Sequence, residues 1–105
     1  MIQVPKPATL KKYGLTEKFW RAIIKRQGPH CAVCGKVPST NRLVIDHEHV
    51  KGWKKLPPEQ RRRYIRGLCC WVCNHYVLCR GISIAKLKGA VKYLKRYEER
   101  KANYD

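Results

Sequence analysis

The chain has 105 residues, and its 24 Lys and Arg outnumber its 7 Asp and Glu, which gives a formal net charge of +17. This length forms one small domain, residues 1–105, and excludes a large multi-domain enzyme. The charge favours nucleic acid as the partner, while a hydrophobic content of 44% excludes a disordered basic tail.

Residues 1–14 are predicted to form a basic arm, because Pro5, Pro7 and Gly14 interrupt regular structure. They lack the apolar core and the cleavage site of a secretion signal. No uncharged apolar stretch of the chain approaches the ~20 residues that cross a bilayer. We therefore expect a cytoplasmic protein without a membrane partner.

A helix is predicted after Thr16, whose hydroxyl can cap it, and Gly28-Pro29 is predicted to end it. One face of this helix is apolar and is expected to pack into the core. The residues of that face are Phe19, Trp20, Ile23 and Ile24.

Two cysteine pairs, Cys31-x-x-Cys34 and Cys70-x-x-Cys73, have the spacing of zinc ligands. Two intervening residues place both thiolates on one side of a turn, so the two pairs together predict a four-thiolate structural zinc site. Disulfides in a secreted cationic peptide are the alternative.

Another cysteine, Cys69, directly precedes the second pair. Spacing does not choose between Cys69 and Cys70, because two or three intervening residues both suit zinc. The one left over, together with Cys79, is predicted to be a small buried apolar residue. Trp20 and Trp71 are also predicted to pack in the core.

A short strand is predicted at residues 43–45 and leads directly into Asp46-His47-x-His49. On a regular strand His47 and His49 share one face and Asp46 points away from it. The three side chains therefore converge only if the strand bends at its end.

Asn74 follows the second cysteine pair and is predicted to begin a short helix facing Asp46, because zinc would tie the two pairs together. A carboxylate and an amide oxygen suit Mg²⁺ or Mn²⁺, which keep open positions for phosphate oxygens. A neutral histidine beside such an ion can take a proton from water, since its ordinary pKa of about 6.5 suits a general base.

Residues 50–66 form a basic insertion with seven Lys and Arg, predicted to be a loop with one helical turn after Pro57-Pro58. We expect this loop to bind nucleic-acid phosphates, and the alternative for its arginine run is a solvated helix face. The predicted contacts are Lys51, Trp53, Lys54, Lys55, Arg61, Arg62, Arg63 and Arg66.

Residues 83–101 are predicted to form a C-terminal helix that Ser83 caps and Gly89 weakens. Its lysines are either a solvated face or nucleic-acid contacts. Its apolar positions recur at three- and four-residue spacing and are Ile84, Leu87, Val91 and Leu94.

The runs VIDHEH at 44–49 and RGLCCWVCN at 66–74 together resemble the phage recombination endonuclease VII family, which belongs to the His-Me finger, or HNH, nucleases. The resemblance covers residues 31 to about 81, roughly half the chain. It implies a small α+β fold in which a zinc-stabilised ββα-metal core carries flanking N-terminal and C-terminal helices.

The resemblance also implies the role of each site residue. It places structural zinc on the two cysteine pairs, with Cys70 rather than Cys69 as the ligand, and catalytic Mg²⁺ or Mn²⁺ on Asp46 and Asn74. His47 would be the base, and His49 would assist at the phosphate.

The implied activity is metal-dependent hydrolysis of DNA with little sequence specificity. The substrate can be linear, nicked or branched DNA. The protein itself can be a monomer or a homodimer. Phage packaging or recombination proteins are further partners, and a phage-encoded chain would act in the host cytoplasm. The rival interpretation is a non-catalytic zinc ribbon that binds nucleic acid or a host protein.

Overall fold

Two antiparallel strands, β1 (Val44–His47) and β2 (Ile65–Cys69), lie at the centre of the computed structural model, which describes residues 1–79 and 81–102. Ile45 of β1 pairs with Leu68 of β2, and both side chains are buried. This arrangement confirms the prediction of a small α+β fold.

Two helices precede the sheet, α1 (Pro7–Lys12) and α2 (Glu17–Gln27). As predicted, the Thr16 hydroxyl accepts a hydrogen bond from the Phe19 N–H at 3.3 Å, and α2 ends at Gly28, whose φ is 96°. Trp20 of α2 is buried in the core, also as predicted.

The N-terminal segment differs from the predicted basic arm. Ile2 and Leu10 are buried in the core, and Pro7 begins α1 at the position where its fixed φ suits a helix. Residues 1–14 therefore pack against the rest of the domain, because apolar side chains of this segment are buried in the core.

A β-bulge interrupts the sheet between Asp46 and His47. Asp46 pairs with Gly67 and His47 pairs with Ile65, so Arg66 is the extra residue on β2. A bulge bends the strand and redirects side chains. This bulge is the bend at the end of the strand that Asp46, His47 and His49 require in order to converge.

The insertion at 50–66 folds back onto the N-terminal segment. It contains a 3₁₀ turn (Trp53–Lys55) and, after the prolines, one helical turn, α3 (Pro58–Arg61), as predicted. Arg62 Nε donates to the Gly14 carbonyl at 2.8 Å. Gly14 has a φ of 71°, and any β-carbon there would collide with the Pro58 carbonyl, so glycine permits this close approach.

After β2 the chain forms a π-helical turn (Cys73–Val77) and then the long helix α4 (Ile84–Ala102). Ser83 caps α4 by accepting from the Lys86 N–H at 3.1 Å. The predicted apolar positions of α4 are exposed to solvent. Within the described ranges, no helix is both long and apolar enough to span a bilayer.

Three burial predictions are wrong, and the first concerns Phe19 of α2, which is 44% exposed. Trp71 is 57% exposed, because it lies on the outer side of the turn that follows the sheet, and Cys79 is exposed beyond that turn. Cys69 is buried in the core, as predicted for the cysteine outside the metal site.

Candidate functional site

The two cysteine pairs meet in one cluster. The sulfur atoms of Cys31, Cys34, Cys70 and Cys73 all lie within 4.8 Å of one another. The Cys34 and Cys70 sulfurs are 3.9 Å apart, close to the ~3.8 Å edge of a tetrahedron with Zn–S bonds of about 2.3 Å. A disulfide would require about 2.05 Å. The cluster therefore has the donor set and spacing of a structural zinc site.

Hydrogen bonds from the backbone organise these sulfurs. The Val33 and Cys34 N–H groups donate to Cys31 Sγ at 3.3 and 3.4 Å. Burial opposes ionisation of the Cys31 thiol, but these donors prevail and lower its pKa to about 6. Burial together with the neighbouring sulfurs raises the pKa of Cys73 to about 12. A bound metal ion would hold both as thiolates, since a coordinating thiol is deprotonated outright.

Cys69 lies outside this cluster. It pairs with Val44 in the sheet, and burial, followed by the charge of Asp46, raises the pKa of its thiol to about 12. It therefore stays a neutral core residue. The geometry places Cys70 in the four-cysteine cluster, in agreement with the expectation drawn from the family resemblance.

Asp46 is buried and forms a bidentate ion pair with Arg66. Arg66 Nε and Nη2 donate to the two carboxylate oxygens at 2.8 and 3.0 Å. The bulge directs Arg66 to this position, although the sequence predicted that it would contact DNA. Its guanidinium instead compensates a buried charge, which is costly to leave unpaired.

We expect Arg66→Ala to lower the free energy of unfolding by about 1–3 kcal/mol. The loss is smaller than for a fully buried pair because the Arg66 side chain is 39% exposed. Urea unfolding measures it. Arg63→Ala is the matched control, since Arg63 is exposed, and its change should stay within about 0.5 kcal/mol. Equal stability of the two variants would contradict a supporting role for the ion pair.

His47 is held by contacts on several sides. Its Nδ1 lies 3.0 Å from the Glu48 carbonyl oxygen, and its ring stacks on Trp53 with centroids 4.1 Å apart and planes 10° apart. His49 lies 4.8 Å away, centroid to centroid. Because a carbonyl can only accept, the neutral imidazole carries its proton on Nδ1 and keeps a lone pair on Nε2.

A cavity of about 400 Å³ brings the predicted catalytic residues together. Asp46, His47, His49 and Asn74 all line it, although Asp46 follows the first cysteine pair in sequence and Asn74 follows the second. The arrangement gathers two oxygen donors and two imidazoles on one concave surface. Such a surface can bind a hard cation and move a proton.

Sequence reasoning missed Tyr13 as a residue of this cavity. Its ring lies 5.6 Å from those of both His47 and Trp53. Burial, and then the charge of Asp46, raises the pKa of its hydroxyl. Tyr13 belongs to no motif, and its role depends on the N-terminal segment packing against the sheet.

A second cavity, of about 630 Å³, adjoins the first and is basic. His47 and His49 line both cavities, so the second leads directly into the candidate site. The cationic residues that line the second cavity are Lys12, Lys51, Lys54 and Lys55. We call this cavity the lysine groove.

Other residues predicted to contact nucleic acid also make contacts within the protein. Trp53 is buried, and its Nε1 donates to the Arg61 carbonyl at 3.3 Å. The Arg62 guanidinium lies over the Phe19 ring at 4.3 Å. In the run of three arginines, Arg63 alone is exposed, while Arg61 and Arg62 are half-buried. The cationic side chains of the insertion that line the lysine groove are therefore all lysines.

A family model described as recombination endonuclease VII matches residues 7–96. The chain belongs to the recombination endonuclease VII family. This membership confirms the resemblance carried by the two motif runs.

Two phage relatives are similar to this member of the endonuclease VII family. The gene 59 protein of Mycobacterium phage D29 is 34% identical over 94 residues, which cover 83% of this chain and 47% of the relative. The gene 59 protein of Mycobacterium phage L5 is 34% identical over 71 residues, or 66% of this chain and 36% of the relative. The chain thus spans less than half the length of both. No solved structure gives a significant match.

Proposed function

We propose that this chain is a metal-dependent DNA endonuclease with a His-Me finger core and little sequence specificity. One observation carries the proposal: His47 lines the same cavity as Asp46 and Asn74, and its Nδ1 is hydrogen-bonded to the Glu48 carbonyl, which leaves Nε2 of the neutral ring as the proton acceptor. Two antiparallel strands, followed by a helical turn and joined to it by the cysteine cluster, support the ββα-metal assignment.

His47 is the general base in this proposal. Its Nε2 takes a proton from a water molecule, whose oxygen attacks the phosphorus as the P–O bond to the leaving deoxyribose oxygen breaks. The hydrogen bond from Nδ1 to the Glu48 carbonyl fixes the tautomer, and stacking on Trp53 fixes the ring plane. His49, beside His47, assists at the phosphate.

Asp46 and Asn74 fit a divalent cation. Their carboxylate and amide oxygens are hard donors on one cavity wall. Arg66 binds both Asp46 oxygens, but a carboxylate offers about four lone-pair positions, so acceptor capacity remains. These two residues would hold Mg²⁺ or Mn²⁺, which supplies neutralisation of charge on the phosphate and the leaving oxygen.

The decisive experiment incubates the protein with supercoiled plasmid, linear duplex and a four-way junction, each with and without added Mg²⁺ or Mn²⁺. We expect nicked or cut products that require the added ion. Asp46→Ala should bind DNA but lose the metal-dependent activity. Binding to all three DNAs without cleavage under any of these conditions would favour the rival, a non-catalytic zinc ribbon.

The lysine groove is proposed to hold the DNA backbone next to the scissile bond. Such contacts position the strand without reading bases. Replacing Lys51, Lys54 and Lys55 by glutamine should reduce the slope of log affinity against log salt by up to about 2.7, since each duplex phosphate contact contributes about 0.9. Binding titrations at several salt concentrations measure this slope.

The arginine run provides the contrast for that experiment. Changing Arg61, Arg62 and Arg63 to glutamine should reduce the slope by about 1 or less, because only Arg63 is exposed. A larger effect from the arginines than from the lysines would contradict this path for the DNA.

A further inference from the structure

Three aromatic side chains form an exposed cluster on the turn that follows β2. Trp71 and His75 stack with centroids 4.7 Å apart and planes 9° apart. Tyr76 meets both rings edge-on, at 5.8 Å from Trp71 and 4.8 Å from His75. Trp71 is 57% exposed and Tyr76 is 66% exposed. We call these three residues the aromatic surface.

Local geometry holds this surface in place. The π-helical turn carries a hydrogen bond from the Leu78 N–H to the Cys73 carbonyl, five residues earlier, at 2.9 Å. This wide turn puts positions four and five residues after Trp71 beside its ring. Cys70 and Cys73 belong to the four-cysteine cluster and lie in the same segment, so the rings are attached to a packed part of the fold.

Packing in the core does not explain why these aromatic side chains are present on the turn. The other two tryptophans, Trp20 and Trp53, are 2% and 5% exposed, whereas Trp71 leaves most of its side chain in water. Large exposed apolar groups that cluster mark interaction sites more often than isolated ones do. The partner is therefore expected to offer a flat apolar face.

The aromatic surface adjoins the candidate active site. His75 stacks on Trp71 and also lines the 400 Å³ cavity together with His47 and Asn74. A nucleotide strand whose phosphate lies in that cavity would therefore pass beside the aromatic rings. The net charge of +17 favours a polyanionic strand over an apolar protein segment here.

We propose that Trp71, His75 and Tyr76 form a stacking site for an unpaired base of the DNA strand held at the active site. This inference rests on the proposed function and deepens it. A base inside a duplex is already stacked on its neighbours, so only an unpaired base can place its face on Trp71. The protein would thus favour DNA with a single-stranded segment beside the scissile phosphate.

The test compares binding of oligo(dT) of about 12 nucleotides with binding of a blunt duplex, without added divalent metal. Trp71→Ala should weaken oligo(dT) binding about 5- to 150-fold, the range measured for losing one base–aromatic contact. Duplex binding should change less than about twofold. Trp71→Phe should keep most of the affinity, because a ring remains.

Matched controls come from the same turn. Val72→Ala removes an equally exposed apolar side chain outside the cluster and should leave both affinities unchanged. Intrinsic fluorescence adds a direct readout, since Trp71 alone among the three tryptophans is exposed. Oligo(dT) should quench its emission, and the quenching should disappear in Trp71→Phe. If Trp71→Ala misfolds, Tyr76→Ala provides the same comparison at the outer edge of the cluster.

Equal loss of oligo(dT) and duplex binding, or no loss of either, would overturn the stacking site. So would an unchanged oligo(dT) affinity accompanied by loss of self-association, which would make the surface a contact between copies of the chain. Plasmid cleavage by the unmodified protein is scored separately. Failure of the stacking site is therefore distinguishable from failure of the nuclease assignment.

Discussion

His47→Ala is expected to cut DNA at least ~100-fold more slowly than the unmodified protein, with DNA affinity retained. The imidazole supplies the proton acceptor, and a methyl group cannot replace it. Single-turnover cleavage of a labelled duplex with added Mg²⁺ measures the rate, and a titration without Mg²⁺ measures the binding. The variant should remain folded, since His47 lies at the edge of the sheet and is only half-buried.

His49→Ala is the companion variant for this prediction. It removes a second imidazole from the same cavity but keeps the hydrogen bond between His47 and Glu48. We expect a smaller loss of rate from it. Full cleavage by His47→Ala would show that another group is the base, and His49 would then be the first residue to consider.

Cys70→Ser is expected to abolish stoichiometric zinc and to unfold the domain at ordinary temperature. Binding of structural zinc contributes about 10–16 kcal/mol in small zinc domains, which is as large as the whole stability of a typical domain. Elemental analysis of the purified protein measures the zinc, and thermal unfolding monitored by circular dichroism measures the fold.

The neighbouring cysteine provides the control. Cys69→Ala shortens a buried side chain outside the cluster, so it should keep its zinc and lose only about 1–2 kcal/mol. Cys79→Ser, at an exposed position, should change neither property. The reverse order, with Cys69→Ala losing zinc, would show that the wrong cysteine is assigned to the metal.

Local signals predicted the parts of the fold that depend on near neighbours. The Thr16 cap and the helix end at Gly28 depend only on the residues of the adjacent turn. The spacing within each cysteine pair likewise depends only on a tight turn that can hold a metal. The site residues Asp46, His47 and Asn74 converge because the cysteine cluster joins two segments. The cysteine motifs predicted that Asp46 and Asn74 would lie close together, whereas the bend at His47 comes from a β-bulge that the motifs do not specify.

Residues whose roles depend on distant packing could not be predicted in the same way. Tyr13 enters the cavity because the N-terminal segment docks on the sheet. Trp53 stacks on His47 because the insertion folds inward, and Arg66 pairs with Asp46 because a bulge adds a residue to β2. A basic or aromatic residue in a loop gives the same local pattern whether it faces DNA or supports the site.

The contact between Cys34 and Cys70 joins residues 36 positions apart and closes a loop that contains both strands and the whole insertion. Doubling the length of a flexible closed loop costs only about 0.6 kcal/mol. Extra residues inserted at the exposed Lys54 and Lys55 would thus be tolerated, provided that Trp53 keeps its place. They would reshape the lysine groove and leave Asp46 and Asn74 in place. For the proposed nuclease, the length of this one segment would therefore determine which DNA the groove accepts.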